Sequence, residues 1–217
     1  MDDRLIEARE LYHAAVFGGA DDGLDVADRA LDGLEADTTL ARGRIRHARH
    51  LAARAAGEQP GEDPTEIALF ERALELYESL GDTRGAAEAQ FLVGCYHQVV
   101  RGDMDTTEPM FARARDLAAE AGDDLTRSYA LRHLAFTAQH AGRADEARAA
   151  LAESTDLRRS LGFTAGVAAN LVAEAYLAAE TGAGDPSALL DQAATLAATS
   201  GAHAVAGWVS EARLAIG

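Results

Sequence analysis

Within residues 129–151, YALRHLAFTAQHAGRADEARAAL, one short span carries Tyr129, Arg132, His133, Phe136, Gln139 and His140. Histidine and tyrosine can move protons, arginine can hold a carboxylate or phosphate with two parallel hydrogen bonds, and aromatic rings can stack on a ligand. Spacing by threes and fours places the six on one stripe of a helix. A second concentration is RGRIRHARHLAAR (42–54). If Ala41, Ile45, Ala48 and Ala52 form its packing stripe, Arg42, Arg46, Arg49 and His50 stay together on the other side. They would clamp an anion, or pair with some of the 36 acidic residues of this chain.

Other chemistry has little support. His47 and His50 are three apart and His133 and His140 seven apart, yet neither pair has the companion carboxylate of an HExxH site. The sequence has no P-loop, no dinucleotide-binding glycine motif and no nucleophile elbow. Cys95 falls at a small-residue position, where a thiol packs and does not react. Acidic pairs lie mostly in turns or on outer faces, so none stands out as an acid/base pair. No catalytic residue, metal ligand or cofactor is assigned.

Composition narrows the partners. Of the 217 residues 48% are hydrophobic but only 6% aromatic, so alanine supplies much of the apolar content and favours close-packed helices. A net charge of −16 opposes nucleic acid and anionic lipid, which excludes both as first expectations. All 20 basic residues are arginine, as a G+C-rich bacterial codon bias would produce. With a single cysteine, no signal-like start in MDDRLIEARE and no apolar run near the roughly 20 residues of a membrane helix, a cytoplasmic protein is expected.

These residues need elements to position them, and a repeat supplies the elements. ALFERALELYESLGD (68–82), PMFARARDLAAEAGD (109–123), ALAESTDLRRSLG (150–162) and LLDQAATLAATSG (189–201) align on Leu76, Leu117, Leu157 and Leu196. Gly81, Gly122, Gly162 and Gly201 then coincide, as do Ala73, Ala114, Ser154 and Ala193, and Phe70, Phe111, Leu151 and Leu190. Offsets of three and six mark one helix face, and the glycine is its stop. Between them, FLVGCYHQVVRGD (91–103), LRHLAFTAQHAGR (131–143) and LVAEAYLAAETGA (171–183) repeat every 40 residues and close at Gly102, Gly142 and Gly182. Asp63, Pro64 and Glu66 suit a helix start, and Pro109 delays another to near Thr107. Residues 5–17, 26–37 and 38–57 read as three further helices.

This unit resembles the tetratricopeptide repeat, in the longer form found in kinesin light chain and MalT-type bacterial regulators. The resemblance implies an all-α, right-handed α-solenoid as one domain over 1–217. Its five repeats would span about 4–37, 38–82, 85–123, 126–162 and 165–201, with a capping helix over 203–216 whose Trp208 and Val209 cover the last pair. It further implies that the first helix of each repeat lines a concave groove. Leu131, Leu134, Ala135 and Ala138, like Phe91, Gly94, Cys95 and Gln98 before them, then pack, while Tyr96, Phe136 and Tyr176 form an aromatic row. Those aromatics either meet a ligand or fill space between helices.

The expected function is a non-enzymatic adaptor or sensor that takes a protein or peptide partner, or a small effector, in this groove. The alternative is a small-molecule binder or enzyme using Tyr129, His133 and His140 for proton transfer and Arg132 for an anionic group. A third is self-association as a homodimer through alanine-rich ends.

Overall fold

The computed structural model describes residues 1–20 and 22–216. Among them the chain is all-helical, as expected, with no strand. The ten α-helices are α1 (Asp3–Gly18), α2 (Leu24–Ala55), α3 (Pro64–Leu80), α4 (Thr83–Cys95), α5 (Glu108–Glu120), α6 (Asp124–His140), α7 (Ala144–Ser160), α8 (Thr164–Thr181), α9 (Pro186–Ser200) and α10 (His203–Ile216). A π-helical segment, Tyr96–Val100, continues α4. The chain divides into two compact units, Met1–Gly102 and Asp103–Gly217. Within each unit helices pack on their neighbours in sequence, and α10 also touches α8.

The turns follow the expected chemistry. Gly81, Gly102, Gly122, Gly142, Gly162, Gly182 and Gly201 all hold positive φ between 64 and 73°, the left-handed conformation that ends a helix without a Cβ clash. Aspartates open the helices that follow several turns. Asp63 accepts from Thr65 N at 2.9 Å, Asp82 from Gly85 N at 3.0 Å, Asp123 from Thr126 N at 3.2 Å, and Asp185 from Ser187 N at 2.9 Å. α5 starts at Glu108 with Pro109 in its first turn, and the Gly184–Asp185–Pro186 sequence lengthens the connection into α9.

In the first unit α2 differs from expectation. The separate helices read over 26–37 and 38–57 are one continuous helix, Leu24–Ala55. No glycine stop stands at 37–38, and Thr38 satisfies its hydroxyl on the carbonyls of Leu34 and Glu35, so nothing ends the helix there. The buried stripe is also rotated. Ala36, Leu40, Gly43 and His50 face inward, whereas Ala41, Ile45, Ala48 and Ala52 are exposed. Gly43 sets this rotation, because a Cβ there would lie 2.5 Å from the ring of Phe70, which is fully buried. The aromatic ring of α3 therefore seats on the bare backbone of α2. One turn further on, His47 Nδ1 lies 2.8 Å from Glu66 Oε1, and Glu66 is 1% exposed, so this residue of the α3 start also anchors the helix pair.

In the second unit, Phe111 and Ala114 of α5, Leu131 and Ala135 of α6, Ala147 and Leu151 of α7, Leu171 and Ala175 of α8, and Leu190 and Ala193 of α9 are buried. Apart from Ala147 these fall in columns of the repeat alignment, whereas its anchoring leucines Leu117, Leu157 and Leu196 are only half-buried. α10 caps α8 and α9 with Val205, Val209 and Ala212. Trp208 does not join them, since it is 43% exposed; on a helix its side chain points about 100° away from that of Val209.

Candidate functional site

The α6 stripe separates into distinct environments along its length. Tyr129 packs edge-on against Phe163 with ring centroids 6.0 Å apart. His133 stacks on the buried Phe111 at 4.9 Å and meets Phe136 edge-on at 5.5 Å. The Arg132 guanidinium lies 4.7 Å from the centre of the Phe136 ring. Gln139 donates to Glu180 Oε2 at 2.6 Å, and the exposed His140 lies 3.4 Å from Asp105. Tyr129 and His140 are eleven residues apart in sequence, about 16 Å along the helix axis. They hold separate neighbourhoods and do not meet around one reacting atom. Of the expected packing residues, Leu131, Ala135 and Ala138 are buried and Leu134 is half-buried; Thr137 joins them.

Beneath this stripe lies a polar cluster that the sequence did not disclose. Arg158 of α7 is 1% exposed and donates to Gly166 O at 2.8 Å and to Asn170 Oδ1 at 2.7 Å. Its Nε reaches Ser128 Oγ at 3.3 Å, and its guanidinium faces the rings of Tyr129 and Phe163. Arg132 of α6 shares the same Asn170 Oδ1, at 3.0 Å, and also donates to Ala169 O at 2.7 Å. Asn170 in turn donates to Ser154 Oγ and Thr155 Oγ1. Two arginines thus converge on one neutral oxygen. Neither forms an ion pair with a carboxylate among the described residues. Burial, with Arg158 close by, pushes the pKa of Arg132 down to about 9. Burial likewise pushes Arg158 down to about 10.

The cluster continues to Glu174, which accepts from Thr155 Oγ1 at 3.1 Å. Burial holds its carboxyl above the usual range against the opposing Thr155 bond and the Arg159 charge. Glu174, Thr155, Arg148, Asp156 and Arg159 border a hollow of about 230 Å³ between α7, α8 and α9. A sequence signal for this cluster exists. Ser154 stands in an alanine column, and Arg158 stands where Ala118 and Ala197 stand in other repeats. The substitution of polar for small residues in packing columns marks a buried network.

In the first unit, Arg46, Arg49 and His50 do come together. With Pro60, Gly61 and Asp63 they line a hollow of about 230 Å³. Arg46 pairs with Asp63 at 2.5 Å, and His50 is only 8% exposed with no hydrogen-bond partner for Nε2. His50 is therefore a buried residue and not part of an exposed basic face. Tyr96 takes the space-filling alternative. It is fully buried, its hydroxyl 3.3 Å from Glu62 Oε2 and Arg101 5.0 Å from its ring centre. Tyr96 opens the π-helical segment, yet the 40-residue packing columns persist through it, since Cys95 and Gln98 are buried as Ala135 and Ala138 are. Phe136 is half-buried and Tyr176 is 37% exposed, so the row splits between packing and surface.

No protein-family model matches the chain, and no curated protein matches it. Among the described residues no group of three or more histidine, cysteine, aspartate or glutamate side chains is arranged to hold a metal ion. Cys95 is buried, which raises its thiol well above the usual value. No helix of the described residues is long and apolar enough to cross a membrane.

Proposed function

We propose that this chain is a binding module of the tetratricopeptide type, an adaptor or sensor that recognises a partner peptide or a small effector through α6 and α8 of the second unit. The observation that carries this reading is Arg132. Its guanidinium lies 4.7 Å from the centre of the Phe136 ring and donates to the neutral oxygens of Ala169 and Asn170, on a pair of helices that also carry the exposed His140, Tyr176 and Glu180. A cation over an aromatic ring with no acidic partner among the described residues suits a ligand that brings a carboxylate and an apolar group. The succession of helix hairpins with left-handed glycine turns supports the repeat-type reading.

The test uses residues that the fold does not need. Peptide and metabolite pools are selected on the full chain, and calorimetry compares the retained ligand on wild type, Tyr176→Ala and His140→Ala. Affinity should fall by about tenfold or more in Tyr176→Ala, with the melting temperature unchanged in both variants. Selected ligands that bind all three proteins equally would place recognition elsewhere.

A further inference from the structure

Glu174 stands in a column where the two preceding repeats place Gly94 and Leu134, so the packing of α8 does not call for a carboxylate. The network beneath nevertheless orients it. Asn170 Nδ2 donates to Thr155 Oγ1 at 3.0 Å, and the hydroxyl of Thr155, a residue only 2% exposed, gives its one proton to Glu174 Oε1 at 3.1 Å. Among the described residues Glu174 forms no ion pair, and its Oε2 accepts no hydrogen bond while keeping accessible surface. A half-buried charge left without compensation costs stability. Thr155 and Glu174 both line the hollow of about 230 Å³ between α7, α8 and α9, whose walls are otherwise largely apolar, from Ala152, Leu177, Ala178 and Leu189. Arg148 and Arg159 stand at its edge, but each is already held by an aspartate three residues away, Asp145 and Asp156. A dry cavity of roughly 150 Å³ holds a benzene molecule, so the space suffices for a short aliphatic chain.

We infer that this hollow binds a small aliphatic ligand by its ammonium group, with Glu174 Oε2 as the acceptor and the chain lying against Leu177 and Leu189. The ligand supplies the positive charge that the fold withholds from Glu174. Burial raises the carboxyl, and the Asp156 charge raises it further, so a cation here meets an acid that gains from being paired. A metal ion suits the hollow less well, because among the described residues no three histidine, cysteine, aspartate or glutamate side chains are arranged to hold one. The net charge of −16 draws cations toward the chain at long range. The site is distinct from the α6–α8 surface, since Tyr176 lies two residues from Glu174 and about 200° around the helix. Either can fail without the other.

The full chain at neutral pH is titrated with butylammonium chloride, with L-leucine and with 1-butanol, at constant ionic strength maintained with sodium chloride, while the methyl resonances of Leu177 and Leu189 are followed. Saturable shifts are expected with at least one of the two ammonium compounds and not with butanol, which brings the chain without the charge. A response to both, or to butylammonium alone, assigns an amine ligand. A response to leucine alone assigns an amino acid whose carboxylate meets Arg148 or Arg159. Glu174→Gln keeps an acceptor for the Thr155 hydroxyl and should weaken the responding ligand by about tenfold or more, with no loss in melting temperature. Shifts that track concentration without saturating, saturation by butanol, or undiminished affinity in Glu174→Gln would overturn the site.

Discussion

Glu174 shows how a single residue ties the polar cluster to stability. Its carboxyl is raised by burial, so the folded state holds the proton more tightly than the unfolded chain does. The stability associated with this group is complete at pH below the ordinary glutamate range and is lost as pH rises through the raised value. Glu174→Gln keeps an acceptor for the Thr155 hydroxyl and removes the charge. We expect its melting temperature to exceed that of wild type at neutral pH, with the gap closing as pH falls below about 4. A gap that stays constant with pH would show that the gain comes from something other than ionisation. Arg132 and Arg158 behave oppositely in kind: their depressed values stay at about 9 and about 10, so both remain charged at neutral pH and keep their demand for an acceptor.

At the level of elements, Gly43 decides how α2 meets α3. A glycine in mid-helix costs about 1 kcal/mol relative to alanine, so Gly43→Ala gains that much in helix propensity. Its Cβ would also lie 2.5 Å from a buried aromatic ring, and overpacking of this kind costs about 1–3 kcal/mol. The second effect is the larger because Phe70 has no exposed side toward which to yield. Urea denaturation should therefore show Gly43→Ala less stable than wild type, and Phe70→Leu should remove most of the penalty in the double variant. Equal penalties with and without Phe70→Leu would mean that the ring is not what Gly43 accommodates. This contact also explains the misplaced stripe on α2. Ile45 looks like the natural inward residue by hydropathy, yet the inward position belongs to the residue that leaves room.

For the whole molecule, charge is the dominant feature. Its ion pairs, such as Arg72 with Glu35, Arg143 with Glu108 and Arg213 with Asp191, are largely solvent-exposed, where screening leaves them little net stabilisation. Self-repulsion from a net charge of −16 acts over longer distances and is screened within about 10 Å at 0.1 M salt. Raising sodium chloride from about 0.02 to about 0.5 M should accordingly raise the melting temperature, since the screened repulsion exceeds the screened pairs. A fall would show the ion pairs to be the larger contribution.

The sequence by itself determined the all-helical class, the glycine turns, the late start of α5 and the packing columns of α5 to α9. Each is set locally, by side-chain period, by a left-handed glycine or by a capping residue, and a local rule needs no knowledge of distant chain. Only the tertiary structure decided the rest. Continuity of α2 depended on the absence of a stop, its inward face depended on Phe70 of α3, and Tyr96 is buried beside Glu62 and Arg101. The stripe that looked like one site, Tyr129 to His140, is divided by what each residue packs against. Beneath it, Arg132 and Arg158 share Asn170 because three helices bring together residues far apart in sequence, a meeting that no spacing along one helix encodes.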